Sequence, residues 1–417
     1  MIKVCKIRFY PNSSQIKTIN KILGACNYVR NLYQEYNIRY HNEDKKFLSG
    51  YEFSKIINKL KKTSENYSWL NEISSKALKD AIMNKESSFK RFFKKKSKFP
   101  KFQSRKRFTC ESFFFIKDSI KFDDKFGNSM IKIPILGKVR ITEKNYLPDI
   151  ASISSGRVIK ERNKYYISFI YTKEKEHVKS RNIRFGIDVG VKNYATVAYD
   201  DDKIIIEHFK DYESYKNITK KIENLQKCIS HKAETNYGKL LNTYLDKHSG
   251  QEPNETTKNI MKGESYNTSQ IRCLKRKIQR LYRKLSNIRK NFINQLVCRL
   301  VVRAKPLSIT IEDLSISNLL SSDSKSFNSN LRRYIGLSGF KYFRTCLENK
   351  CREYSIELRI ADKYFASSKT CHECGHKMKS LKLSDRIFHC THCGTEVDRD
   401  VNAAMNLLDT NKYTVIV

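Results

Sequence analysis

Two CxxC pairs, Cys371/Cys374 and Cys390/Cys393, stand fifteen residues apart in the stretch CHECGHKMKSLKLSDRIFHCTHC, and no other feature restricts the fold of this chain as tightly. Four thiols at that spacing match a four-thiolate zinc ribbon. Disulfides are the competing use of cysteine, but the other eight, Cys5, Cys26, Cys110, Cys228, Cys273, Cys298, Cys346 and Cys351, are scattered singly and form no framework. The opening MIKVCKIRFY lacks the apolar core of a signal peptide, and no apolar run approaches transmembrane length. The expectation is an intracellular, reducing compartment, in which the paired cysteines hold metal. His372, His376, His389 and His392 crowd the same segment. Four cysteines already complete a tetrahedral site, so these histidines read as bystanders and the zinc as structural, with no open position for catalysis.

Charge supplies the next constraint. Lys and Arg number 82 against 43 Asp and Glu, a net charge of +39. A surplus of that size repels itself in a compact state, and a polyanion is its natural compensation. Nucleic acid is therefore the expected partner, bound in a steeply salt-dependent way.

The first residues alternate Cys5, Ile7 and Phe9 with Lys6, Arg8 and Tyr10, which predicts a half-buried strand. Pro11 ends it, Ser13 or Ser14 can cap the next helix, and Ile16, Ile19, Leu23 and Cys26 give that helix its apolar stripe. Further helical patterns run through Phe53–Leu60 and Leu70–Phe93. The stretch 90–108, KRFFKKKSKFPKFQSRKRF, then interleaves cations with phenylalanines. Lys94, Lys95, Lys96, Lys98, Lys101, Arg105, Lys106 and Arg107 are its candidate phosphate contacts. Its rings can stack bases or can simply anchor a solvated loop. Residues 113–171 read as β-rich, with strands at Phe113–Ile116 and Ile131–Ile133 and a hairpin turning at Arg162–Asn163. The charged stretch 174–182 reads as the main linker.

Beyond it, 184–201 predicts strand, turn, strand. Ile218, Ile222, Leu225 and Ile229 predict a helix over 216–230, whereas the polar 231–267, with Gly250, Pro253 and Gly263, reads as a loop or insertion. The following helix reads as the longest in the chain. Its apolar residues from Ile271 to Phe292 recur three and four apart, the pattern of an antiparallel pair with 216–230. Lys275, Arg276, Lys277 and Arg280 on its polar faces are further candidate nucleic-acid contacts. A strand at 308–314, a helix at 338–354 and a strand at 356–361 precede the zinc segment, an α/β order around a mixed sheet.

Three acids stand at telling places. Asp188 ends an apolar strand between Gly186 and Gly190, Glu312 follows the strand Ile309–Ile311, and Asp400 opens a helix seven residues after the last paired cysteine. A carboxylate where a buried strand emerges is costly unless it pairs or binds a cation. Together the three can hold two Mg²⁺ ions roughly 3.5–4 Å apart, a site for phosphodiester hydrolysis. Taken singly, Asp188 is equally a turn residue, Glu312 a surface acid and Asp400 an N-cap. Asp398 competes with Asp400 for the third position, and Asp313 less strongly with Glu312.

The segments GIDVGVKNYAT, ITIEDL, SSKTCHECGH and CTHCGTEVDRDVNAAMNLL resemble the successive motifs of TnpB, the RNA-guided nuclease of insertion sequences, shared by the Fanzor proteins and compact type V CRISPR effectors. The resemblance covers 184–408 specifically. It implies a RuvC-like (RNase H-like) nuclease domain over 183–366 and 396–417, interrupted by a zinc ribbon at 367–395, with Asp188, Glu312 and Asp400 as its catalytic, Mg²⁺-binding acids. It implies a β-barrel wedge over 1–12 and 108–173 with an inserted helical recognition module over 13–107. It further implies a guide RNA derived from the transposon end, pairing with a double-stranded DNA target in a basic channel, and no membrane. The location would be the cytoplasm or nucleoid in a bacterial or phage setting and the nucleus in a eukaryotic or viral one. The residues set no oligomeric state. A non-cleaving RNA-guided repressor and a guide-independent nuclease or transposase on the same fold are the competing functions. All three acids remain, which favours the enzyme.

Overall fold

A computed structural model describes the chain apart from residues 45–46, 105–109, 117–120, 123–129, 143–146, 175–179, 191–192, 201–202, 209–211, 249, 314–337, 363–364, 380 and 382–384. It forms two compact units, Met1–Glu174 and Lys175–Val417.

In the first unit, strand β1 (Ile2–Tyr10) buries Cys5, Ile7 and Phe9 as its alternation predicts. Helix α1 (Ser13–Asp44) follows. Its cap is Asn12 and not either serine: Asn12 Oδ1 accepts the Gln15 N–H at 2.8 Å, and Gln15 Oε1 accepts the Asn12 N–H at 3.0 Å. This reciprocal pair satisfies two amide donors together. Helices α2 (Gly50–Thr63), α3 (Glu65–Ser68) and α4 (Ser75–Phe93) complete the helical layer. Strands β2 (Cys110–Ile116), β3 (Lys121–Phe122), β4 (Met130–Ile133), β5 (Gly137–Ile141), β6 (Ile153–Glu161) and β7 (Lys164–Thr172) join β1 in an antiparallel sheet ordered β2-β6-β7-β1-β5-β4-β3. The β6–β7 hairpin turns at Arg162–Asn163, with Arg162 at φ 56°. Among the described residues no ladder joins β2 to β3.

The second unit is a three-layer α/β structure. Strands β8 (Arg184–Asp188), β9 (Ala195–Tyr199) and β10 (Ile204–Glu207) form an antiparallel meander. Helices α5 (Tyr212–Lys247), α6 (Glu255–Ser265) and α7 (Ser269–Val297) follow, and the last continues into a π-helical turn at Cys298–Arg303. Strand β11 (Ser308–Ile311), helix α8 (Phe340–Tyr354) and strand β12 (Glu357–Ala361) lead to the hairpin β13 (Ile387–His389) and β14 (Glu396–Asp398). Helix α9 (Arg399–Asp409) and strand β15 (Tyr413–Val415) end the fold. The sheet runs β10-β9-β8-β11-β12-β15, with β11 parallel to both β8 and β12. Phe185, Ile187, Ile309, Ile311, Leu358 and Ile360 face a core shared with α7 and α8, and α9 covers the opposite side.

Two expectations fail in the middle of this unit. The stretch 231–267 is helical, because α5 continues to Lys247 and α6 begins at Glu255. The apolar stripe extends past Ile229 to buried Ala233, and the polar residues that suggested a loop are the solvated faces of helices. Gly250 and Pro253 do mark the short connection, and the Asn254 side chain caps α6 by accepting the Thr257 N–H. The longest helix is therefore α5, with 36 residues, and not α7, with 29. The predicted pairing of the two is present. Ile218, Ile222, Ile229, Ile271, Ile278 and Leu285 share a core, and Lys232 of α5 reaches Gln270 at the start of α7.

Candidate functional site

The acids owe their places to strand alternation. Ile187 and Ile311 are register partners in neighbouring parallel strands, and both face the α7–α8 core. Asp188 and Glu312 are the next residues of the two chains, so both turn to the other face at one end of the sheet. Helix α9 lies on that face in direct contact with β8. A Cβ at Gly186 would fall 2.2 Å from the Ala404 carbonyl oxygen and 2.3 Å from the Leu408 nitrogen. Glycine at 186 is thus what lets the helix approach, and its first turn brings in Asp400.

The Asp188 carboxyl senses the other two. Burial pushes the Asp188 carboxyl up to about 8, with Glu312 and Asp400 adding to the rise and Arg399 opposing it. Burial also raises Glu312, with help from neighbouring Asp313. Asp400 is 9% exposed. Its Oδ2 accepts from Asn193 Nδ2 at 3.3 Å, and its Oδ1 from the Arg399 guanidinium at 3.4 Å. A cation bound beside Asp188 would relieve the repulsion it feels from the other two acids.

Asp398 and Asp313 are engaged elsewhere. Asp398 is the N-cap of α9, its Oδ1 accepting the backbone N–H groups of Asp400 and Val401 at 2.9 and 3.2 Å. Asp313 accepts from the Arg344 guanidinium at 2.7 Å. Asn193 and Arg399 are partners that the sequence reading passed over. Arg399 was visible as the neighbour of Asp400, whereas Asn193 had no local signal beyond the turn it occupies.

The ribbon is built from two equivalent knuckles. The Gly375 N–H bonds the Cys371 carbonyl and the Gly394 N–H the Cys390 carbonyl. Both glycines sit at positive φ, 71° and 76°, where side chains are strained. The four Sγ atoms lie within 4.8 Å of one another, with Cys371–Cys393 at 3.7 Å and Cys374–Cys390 at 3.6 Å. Zinc–sulfur bonds of about 2.3 Å in a tetrahedron require sulfurs about 3.8 Å apart, so the set fits zinc. Among the described residues no other group of His, Cys, Asp or Glu gathers so closely. The histidines have other contacts: His376 stacks on His392, and His389 Nδ1 pairs with Glu396. Buried asparagines tie the ribbon to α9. Asn402 accepts the His372 N–H and donates to the Thr370 carbonyl, and Asn406 donates to the Ser367 and Thr370 carbonyls.

Of the candidate nucleic-acid contacts, Lys94, Lys95, Lys96, Lys98 and Lys101 are exposed, as are Lys275, Arg276, Lys277 and Arg280 on α7. Arg105, Lys106 and Arg107 lie outside the described residues. Phe99 anchors the loop edge-on to Phe89 and to Phe92, whereas Phe102 is 52% exposed.

Residues 340–407 match the family described as "Cas12f1-like, TNB domain", and residues 1–46, which hold β1 and α1, match a "Helix-turn-helix domain" family. A "Putative RNA-guided DNA endonuclease" of Streptomyces pristinaespiralis is 26% identical over 405 residues, spanning 97% of this chain and 88% of that protein. A protein of the same description, InsQ of Escherichia coli (strain K12), is 25% identical over 418 residues, spanning 98% and 92%. "TnpB-like protein L79" of Acanthamoeba polyphaga mimivirus is 30% identical over 142 residues, 34% of this chain and 26% of that protein.

Proposed function

Because this chain belongs to the TnpB family, we propose that it is an RNA-guided DNA endonuclease of a transposable element, with Asp188, Glu312 and Asp400 as its catalytic acids. One observation carries the proposal: Asp188 and Glu312 follow register partners of neighbouring parallel strands, and Gly186 lets the helix whose first turn holds Asp400 pack against the same face of the sheet. In this reading the second unit is a RuvC-like nuclease domain interrupted by the ribbon. The first unit is a wedge with an inserted helical recognition module.

Divalent cations at the acids, Mg²⁺ in the cell, would activate water and neutralise charge on the leaving oxygen of a DNA phosphodiester. The protein's own part is placement. The parallel register of β8 and β11 fixes Asp188 beside Glu312, and Asn193 and Arg399 orient the Asp400 carboxylate. Zinc held by Cys371, Cys374, Cys390 and Cys393 would stiffen the ribbon whose last strand runs directly into α9. The exposed lysines of the 94–101 loop and the basic face of α7 would meet guide and target phosphates.

Purified protein should carry a defined RNA and cut double-stranded DNA matching it in Mg²⁺. Sequencing that RNA and assaying cleavage tests both halves of the proposal. Protein that binds RNA and matching DNA but never cuts would overturn the enzyme and leave a repressor.

A further inference from the structure

The first unit carries a groove of about 370 Å³ beside α1, lined by none of the residues assigned above. Its walls include Lys21, Asn27, Tyr28, Asn31, Trp69 and Gln103, and the small residues Gly24 and Ala25 leave it room. Trp69 and Tyr28 lie 5.5 Å apart at a 59° tilt, and they remain 36% and 41% exposed. Two large rings left open beside amide side chains have the chemistry of a nucleobase site, stacking faces and hydrogen-bonding edges, while Lys21 in the same wall is paired with Glu72.

The groove is also fixed in place. The Gln103 N–H donates to Asn31 Oδ1 at 2.8 Å, and Asn31 Nδ2 donates back to the Gln103 carbonyl at 2.9 Å. The backbone just before it is pinned from inside, where buried Gln34 donates to the Pro100 carbonyl and buried Lys85 to the Lys101 carbonyl. The Trp69 indole N–H bonds the Asn66 carbonyl, which orients the ring. Among the described residues the Gln103 side-chain nitrogen donates to no protein group. Leading into this wall is the run of exposed cations from Lys94 to Lys101. A strand whose phosphates follow those cations is led to the groove.

We propose that this groove receives an unpaired base of the bound RNA, stacked on Trp69 and Tyr28 with its edge read by Gln103. The base must be unpaired, because in a duplex both faces are already stacked. A groove held rigid before any encounter suits the strand that stays with the protein. That strand is the RNA, so this inference rests on the function proposed above.

Trp69 is the chain's single tryptophan, so emission excited at the red edge, where tyrosine does not absorb, reports on this groove alone. The full chain, freed of nucleic acid by nuclease and high salt, is titrated with a short unstructured RNA whose anisotropy is followed in parallel. Trp69 emission should be quenched as the RNA saturates. Tyr28→Ala and Gln103→Ala, each checked for an unchanged circular dichroism spectrum, should weaken RNA binding, roughly tenfold for the stacking residue. Trp69→Phe should keep most of the affinity, because a ring remains. Emission unchanged at RNA saturation, or a folded Tyr28→Ala that binds normally, would overturn the inference. So would a DNA oligonucleotide of the same sequence, or a mononucleotide, that quenches as well as the RNA. Guided DNA cleavage measured on the same samples separates the two readings, since it can survive when the Trp69 response does not, and the reverse.

Discussion

The zinc ribbon and the acid cluster are joined by the start of α9, yet they hold their ligands in opposite ways. In the ribbon, two glycine knuckles preset four sulfurs at near-tetrahedral separations, and short-range backbone geometry does all the work. At the acids, two strand ends and a helix start bring Glu312 and Asp400 near a buried Asp188 whose charge they disfavour. The first arrangement suits a permanently held metal, and under the proposed function the second would take exchangeable cations.

The sharpest break in that contrast is removal of one acid. Asp188→Ala should lower DNA cleavage by at least about 10³-fold, beyond the 10–100-fold that an outer partner costs, with binding of RNA and DNA within a few-fold. Cleavage and filter-binding assays on the same preparation check this. Residual cleavage within tenfold of wild type would return Asp188 to the role of a turn residue.

Removing two thiolates should act through stability. Wild-type protein should hold one equivalent of zinc by metal analysis, and Cys371→Ser with Cys374→Ser should abolish it and lower Tm by more than about 5 °C. Cleavage should fall as a consequence, because Asn402 and Asn406 couple the ribbon to the helix that carries Asp400. A variant that keeps wild-type Tm and zinc content would break the comparison from the other side.

The acid cluster should also betray itself by pH in chelator-treated protein. Asp188 is held up at about 8 in the fold, against an ordinary value of 3.8 when exposed. The folded state therefore binds more protons than the unfolded state between these values. Its contribution to stability is complete below the lower value and is lost as pH rises through the upper one. Metal-free protein should become less stable from about pH 4 to 8, and Asp188→Asn should flatten that slope and raise Tm at pH 8 by a few degrees. Mg²⁺ should stabilise wild type more at pH 8 than at pH 6, as thermal melts at both pH values with and without the ion would show.

The same contrast decides what could be read in advance. The ribbon was legible because its ligands repeat at short spacing, and β1, the β6–β7 hairpin and the α5–α7 pair were legible from their periodicity. The acids were legible only as residues at element ends, because nothing local says that residues 188, 312 and 400 meet. Their meeting depends on the β8–β11 register and on Gly186 admitting α9. The helical character of 231–247 was hidden for the converse reason. A long polar helix face and a loop share one composition, and the buried Ala233 that distinguishes them is too small to announce a stripe.

The finest discrimination is between two acids separated by one residue. The Asp398 carboxylate accepts two backbone N–H groups at the start of α9, so its worth is that of a helix cap. Asp398→Ala should cost about 1 kcal/mol, a drop of a few degrees in Tm, and should leave cleavage measurable once the protein is kept below its melting range. Asp398→Asn should be close to wild type, since Asn caps as well as Asp. Asp400→Asn keeps the side-chain shape and the helix but removes the charge, and it should eliminate cleavage while Tm holds or rises. If the cleavage defects fell on Asp398 instead, the cap and the ligand would have to exchange roles. The two hydrogen bonds that Asp398 makes to the helix start weigh against that exchange.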